Sequence, residues 1–579
     1  METIGNYAFE NCNKLVGNLE LESGITRIGD NAFAGTQISI IRSKATVPPV
    51  LSNNSMPETW VAAFVPEGSA DDYKEAAVWK DKWILDKEVP AEVTVTKEGN
   101  LAIDIINQIG IPQATITHLK VHGPLGQKDF ASMRSNMTLL YDLDMSDAEV
   151  TVIPEKAFLD KKVLMNVKLP ASLRTIESYA FKGCSALDGS LTLPDGLRLI
   201  GWSAFQGCSS LDEVVLNESL EAIQGYAFEG CSSLKQEITL PRDFQSLGEH
   251  AFANCSSLYG TVKFNRDFYM FMGTEGYGSS TGYCFENCSN IETVDMSEPD
   301  FLDEIPYCTF VNCTSLKTVL LPQNLDRIDN GAFYNCTSLD NIEFPNTLLV
   351  INGDAFQNCT SLSSLNLSDC NNMGTIEGHA FENCSNLETV YLPKSLNWIG
   401  EYAFRNCRNL ANLTVEAVQP ADLGDYVFDK VRTDRCILSI PTGTYYDYAS
   451  AEQWGAFVQT RKSIDVTVGD GANLFIVNDE PNAARGARRT SAAEQQGAKV
   501  KDGSSLYVQE NETAVFKVNP DENVEIAKVL FNGKDVTNEM VNGVYETPGV
   551  TAASSFEVHI YSAQDPLSRS IQVLAKFHF

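Results

Sequence analysis

A frame of apolar residues returns at a nearly fixed interval through most of the 579-residue chain. It reads Ile-x4-Phe-x2-Cys-x2-Leu and appears first at Ile4, Phe9, Cys12 and Leu15. Later copies include Ile176/Phe181/Cys184/Leu187, Ile200/Phe205/Cys208/Leu211, Ile328/Phe333/Cys336/Leu339 and Ile399/Phe404/Cys407/Leu410. From Phe158 to Phe428 the frame phenylalanines are 23, 24, 23, 24, 33, 25, 23, 23, 25, 23 and 24 residues apart. One such unit cannot bury its Ile, Phe, Cys and Leu side chains alone. Neighbours stacked at the strand spacing of about 4.8 Å turn them into continuous internal ladders. A chain with this period coils into a solenoid whose core is the stack itself.

Within a unit, the Cys is followed by a polar turn and then by a short alternating stretch such as Leu316-Lys-Thr-Val319-Leu-Leu321-Pro322, which reads as a strand. Pro170, Pro194, Pro241, Pro322, Pro345 and Pro393 follow these strands, where a residue without an N–H ends the ladder. The Ala-Phe segment, as in Ile399-Gly-Glu-Tyr-Ala-Phe404, is too short for a full helix and reads as one turn of helix or 3₁₀. Triplets such as Asn312-Cys-Thr and Asn335-Cys-Thr mimic glycosylation acceptors. They are better explained as turn chemistry, with Asn taking a left-handed backbone and Ser/Thr bonding locally.

The unit Leu392-Pro393-Lys-Ser-Leu396-Asn-Trp-Ile399-Gly400-Glu-Tyr-Ala403-Phe404-Arg-Asn-Cys407-Arg-Asn-Leu410 resembles the BspA-like leucine-rich repeat of bacterial cell-surface proteins at every fixed position. The resemblance covers residues 1–36 and roughly 116–430. It implies a leucine-rich repeat solenoid of short parallel strands and short helical or 3₁₀ turns, in an adhesin that contacts host matrix proteins or other bacteria.

Two segments share Pro, Gly, Tyr and Trp at identical offsets: Pro66, Gly68, Tyr73 and Trp79, and Pro441, Gly443, Tyr448 and Trp454. Each follows a repeat that lacks the Cys and reads as a cap closing the apolar end of a stack. The expected organisation is therefore the end of a first array with its closing cap (1–89), an opening cap of a second array (90–150), a main solenoid with its closing cap (151–462) and a C-terminal module (463–579). In that module, stretches such as Ala514-Val-Phe516-Lys-Val518 and Phe556-Glu-Val558-His-Ile560, separated by Asn532-Gly533 and Asn542-Gly543 turns, point to an all-β fold. Met1 enters the frame in mid-unit, which implies a truncated start and a signal peptide lost with it.

The charge balance, 43 − 76 = −33, repels phosphate backbones and argues against a nucleic-acid partner. No run of 18 apolar residues is present to span a membrane. Eleven of the 15 cysteines lie in the frame between Phe and Leu, with no C-x2-C pair, and are expected to be buried structural thiols. Cys284 and Cys288 are four apart, but Cys284 only replaces the Ala of an Ala-Phe pair. His118 and His122 would form a ligand pair on a helix; in the alternating stretch around Leu119 and Val121 they lie about 13 Å apart on a strand, too far to share one ion. The search for nucleophile elbows, phosphate loops, dinucleotide fingerprints and zinc motifs leaves no catalytic, metal-binding or cofactor-binding residue to nominate. The basic run Arg485 to Arg489 reads as a loop.

What a solenoid offers is surface. Middle positions of the strands point away from the core in two rows, one through Asn166, Ser190, Thr318 and Asn412, the other through Lys168, Thr192, Leu320, Tyr391 and Thr414. Either these form a solvated face or they make a platform for a protein or glycan partner. The 33-residue step contains Phe264, Phe268, Tyr269, Phe271 and Tyr277 ahead of a Gly-rich stretch. These are either an aromatic contact loop or a local core. Phe268, Tyr269, Phe271, Tyr277, Thr318, Leu320 and Tyr391 are accordingly the candidate partner-binding residues. The reading is a surface-displayed or extracellular, non-enzymatic binding protein. The alternatives are a glycan- or peptide-capturing surface lipoprotein and an unrecognised hydrolase.

Overall fold

The structure is a computed structural model. It describes residues 2–562 except 13–14, 53, 59, 61, 273–281, 459–460, 469–471, 477–497, 501–503, 510–514, 521–523, 542–543 and 548–553. The Arg485–Arg489 run, Tyr277 and the Asn542-Gly543 turn lie outside the described residues. The chain divides into two compact units, Met1–Pro322 and Gln323–Phe579, a cut that falls within the run of repeats.

Each coil gives one strand to each of two parallel sheets. In the first unit, Asp142–Asp144 pairs with Asn166–Lys168, while Val152–Ile153, Thr175–Ile176, Leu199–Ile200, Ala222–Ile223 and Ser246–Gly248 follow one another in the other sheet. In the second unit, Ser364–Asn366, Thr389–Leu392, Asn412–Val415 and Ile437–Pro441 form one sheet, and Arg327–Ile328, Val350–Ile351, Thr375–Ile376, Trp398–Ile399 and Asp422–Leu423 the other. The register sets like against like: Ile176 faces Ile200, and Ile200 faces Ile223. The frame phenylalanines stack the same way, with Phe181 and Phe205 at 5.0 Å and 3° and Phe356 and Phe381 at 5.3 Å and 1°. Aromatic pairs left to themselves favour offset or edge-to-face geometry; here the coil spacing dictates parallel rings.

The Ala-Phe segment is not the helical turn that its length suggests. Tyr179 and Gly183 both take positive φ, 61° and 74°, and a left-handed residue every fourth position stops a helix. Alternate amides then point to the next coil: Tyr179, Phe181 and Gly183 donate to the carbonyls of Trp202, Ala204 and Gln206 at 2.8, 2.7 and 2.8 Å. The amides between them close local turns, as Lys182 does on Tyr179 at 3.2 Å. The segment is thus a third, irregular ladder between coils, and it satisfies the backbone that a helix would have satisfied internally.

The long step also has a different cause from the one its length suggests. Phe268 stacks on Phe244 at 6.3 Å, in the Pro-x-x-Leu place of the repeat, and Phe271 pairs in register with Leu247, in the Ile place. A regular coil therefore runs to Met272, and the additional residues fall between it and Phe285. Phe271 is the frame member that the Phe285/Cys288 copy lacks by spacing.

Tyr73 donates its hydroxyl to the Ala45 carbonyl at 2.7 Å and Trp79 its indole N–H to Pro49 at 2.8 Å. Tyr448 and Trp454 repeat those bonds on Ala417 and Ala421 at 2.8 and 2.9 Å. Both rings of each pair are buried over the last coil. Just ahead of the second pair in the chain, Ile437–Pro441 carries Asn412–Val415 parallel on one edge and Ser504–Gln509 antiparallel on the other. The last solenoid strand is thus an interior strand, which removes an open edge. In the C-terminal β module, Asn532 and Gly533, at φ 52° and 73°, form the two-residue turn that joins Val524–Phe531 to Lys534–Asp535.

Candidate binding surface

The surface is assembled from strand alternation. In Thr318–Leu320, Val319 is buried while Thr318 and Leu320 face out, and Leu320 is 44% exposed despite being apolar. Register aligns them with Thr293 and Asp295. Val215, on Leu211–Val215, is a second exposed apolar side chain in the same row of the first unit. In the second unit, Tyr391 pairs with Asn366 and stands half-buried between the core-facing Val390 and Leu392. The row does not stay open to its end: Asn412 and Thr414 are buried, 3% and 7% exposed, against the expectation that they face solvent.

Lysines on this face are committed to neighbouring carboxylates. Lys168 meets Asp144 at 2.9 Å, Lys317 meets Glu292 at 3.0 Å and Lys263 meets Glu298 at 2.8 Å. Burial pushes the Asp144 carboxyl up, but the Ser146 hydroxyl and Lys168 outweigh it and hold the group down to about 2. What remains outward is a mixture of small polar groups and carboxylates such as Glu213 and Glu237, with isolated apolar side chains between them: a broad surface suited to shape-matched contact.

The aromatic candidates separate. Phe268 and Phe271 are core residues, 0% and 4% exposed, packed edge-to-face with each other at 5.0 Å and with Phe264 at 4.9 and 5.8 Å. For these two the local-core alternative holds, because they fill ordinary frame positions. Tyr269 remains outside at 46% exposure, next to Met270. It immediately precedes Met270–Met272, which pairs with Ser246–Gly248 in a different sheet from the one that carries Thr318 and Leu320. Within the first unit, Tyr269 is therefore not brought onto the face of Thr318 and Leu320.

His118, Lys120 and His122 share the outer face of the strand His118–Pro124, and His122 Nε2 lies 2.8 Å from Glu92. Among the described residues no group of His, Cys, Asp and Glu is arranged to hold a metal ion. Cys284 is buried and donates to the Gly248 carbonyl at 3.2 Å.

Two further side-chain ladders run from coil to coil. Asn287 donates to Asn254 at 2.9 Å and Asn312 to Asn287 at 2.8 Å; in the second unit Asn358, Asn383 and Asn406 each donate to the preceding Asn at 2.7, 2.8 and 2.6 Å. A second column stacks Trp202, Tyr226, His250 and Tyr283 with centroids 5.2, 4.6 and 4.7 Å apart. The recurrence of Asn before Cys and of aromatic residues before Ala-Phe was the signal for both.

The coils match a family model described as BspA type Leucine rich repeat region, in 6 copies, over residues 1–52, 141–272, 275–375 and 351–442. The chain belongs to the BspA-type leucine-rich repeat family. No curated protein matches it. This BspA-type protein is similar to a leucine-rich repeat protein from Bacteroides ovatus, at 23% identity over 52% of this chain and 83% of that one, with a TM-score of 0.35. It is also similar to a leucine rich cell surface protein from Faecalibacterium prausnitzii, at 20% identity over 72% and 83% of the two chains, with a TM-score of 0.31. A third likeness is to a leucine rich repeat protein from T. pallidum, at 28% identity over 30% and 73%, with a TM-score of 0.26. No helix among the described residues is long and apolar enough to cross a membrane.

Proposed function

We propose that this BspA-type protein is displayed on the cell surface or secreted and that it binds a protein partner, from a host matrix or another bacterium, through the outward strand face of the second array. The observation that carries the reading is the exposure of Leu320 and Val215 among polar and acidic neighbours on a face built from register-aligned parallel strands. Apolar side chains held rigidly on a broad surface supply contact area with little ordering cost on binding. Membership of the BspA-type family supports a role in binding.

The test is binding of the intact protein to immobilised panels of extracellular-matrix and bacterial-surface proteins, with an oligosaccharide array alongside. The expected result is a protein hit whose affinity falls at least tenfold in Leu320→Glu or Val215→Glu with the melting curve unchanged. Tight binding to one oligosaccharide class with no protein hit would replace this reading with glycan capture.

A further inference from the structure

An orphaned acceptor and a half-buried acid lie together where the first array meets the second. The Asn18 amide, on Val16–Leu21, donates through Nδ2 to Oδ2 of Asp188 at 2.9 Å, just ahead of the strand Gly189–Thr192. Its Oδ1 is sealed from solvent and accepts no hydrogen bond. Beside this pair, Ile40 and Ala62 of the first array are buried in one apolar cluster with Tyr141, Val163, Met165 and Ala186 of the second. Phe64 meets Tyr141 edge-on at 4.8 Å, and Arg42 lies over the Phe64 ring at 4.4 Å.

An ionised carboxylate is an acceptor only, so it takes the Nδ2 proton and offers Oδ1 nothing. A neutral carboxylic acid does both. Its carbonyl oxygen accepts from Nδ2 while its O–H donates to Oδ1, closing an acid–amide ring with two hydrogen bonds and removing a buried unsatisfied atom.

We propose that proton uptake by Asp188 tightens the docking of the first array on the second, so that this contact is an acid-strengthened latch. The apolar cluster holds the arrays together at any pH, and the acid–amide pair sets how firmly.

The surroundings favour the neutral form. Burial comes first and Asp212 second in raising the Asp188 carboxyl above its ordinary range, against Arg42 and the Asn18 hydrogen bond, which favour the charged form. A carboxyl raised on docking contributes strength that is complete at acid pH and declines as pH rises through the docked midpoint.

The experiment is amide hydrogen exchange of the full-length chain at pH 4.5 and 7.5, corrected for intrinsic rates and read on peptides containing Ile40 and Ala62. Protection should be greater at pH 4.5, by about tenfold for each unit by which the docked carboxyl midpoint exceeds that pH. Asp188→Asn, whose amide can accept from Nδ2 and donate to Oδ1, should show the acid level of protection at both pH values. Asp212→Asn, which removes the like charge, should move the midpoint to lower pH. Equal protection of the unmodified chain at both pH values, a pH dependence that survives in Asp188→Asn, or an unmoved midpoint in a folded Asp212→Asn would each overturn the proposal.

Discussion

The thiol of Cys359 donates to the carbonyl oxygen of Phe333, 3.3 Å away in the preceding coil. The same oxygen accepts the Cys336 amide of its own coil at 3.1 Å. A carbonyl in a dry core has a second lone pair that no water reaches, and the repeat meets it with a side chain that is both small and apolar and still a weak donor. Cys184 on Phe158, Cys231 on Phe205 and Cys407 on Phe381 repeat the bond at 3.2, 3.3 and 3.3 Å. The cysteines are structural because of this ladder.

All 15 cysteines are free and Cys12 is the exposed one. The native protein should therefore consume about one equivalent of a thiol reagent quickly, and 15 after denaturation without reductant. Five or more disulfides found by mass spectrometry would contradict the ladder.

Alkaline pH should unfold the protein steeply. Burial pushes the Cys184, Cys231 and Cys313 thiols from 9.0 up to about 12. The unfolded chain releases these protons first, so stability is full below pH 9 and falls as pH climbs toward 12, by about 1.4 kcal/mol per unit and thiol. Lys161 acts in the opposite sense. Burial lowers its ammonium from 10.5 to about 8, so this single group adds stability as pH rises from 8 to 10.5. Denaturant midpoints measured from pH 7 to 11 should fall above pH 9; a flat profile would mean that the thiols are hydrated.

Phe333→Ala should cost about 3–5 kcal/mol, because the Phe356 ring stacked on it at 5.2 Å is fixed by its own coil and cannot fill the cavity. Leu320→Ala, on the outward face, should cost under about 1 kcal/mol. Equal losses in urea titrations would reverse the assignment of the strand faces.

In the regular coil that precedes the inserted residues, Phe268→Ala should destabilise by about 3–5 kcal/mol while Tyr269→Ala leaves the melting temperature nearly unchanged. A stable Phe268→Ala protein would return that residue to the partner-binding surface.

Asn358 combines φ of 65° with two amide bonds in the asparagine ladder. Asn358→Ala should lose both the ladder and the left-handed fit, at about 1–3 kcal/mol. Asn358→Gly should lose less, since Gly183, Gly207 and Gly230 occupy this position in other coils at φ of 74°, 73° and 72°. If alanine proves milder than glycine, backbone conformation is not what the position selects.

What the amino-acid sequence determined by itself was whatever repeats. A fixed spacing of Ile, Phe, Cys and Leu forces each residue to meet its own kind in the next coil, so the solenoid, the strand faces, the buried thiols and the left-handed Asn could be read from local pattern. Residues that depart from the period needed the structure. Phe268 and Phe271 belong to the frame, but the residues inserted after Met272 hide this from a count between phenylalanines. Ile40 and Phe64 sit at outward places where other coils carry small polar groups. Alternation marks them as facing out, and their apolar character was a legible warning, yet their partners Tyr141 and Met165 lie about a hundred residues away in the chain. Asn412 and Thr414 carried no warning, being small and polar like their exposed counterparts. Local periodicity specifies which way a side chain points; what it meets there is set by how the chain folds back over long distances, and only the tertiary structure decides that.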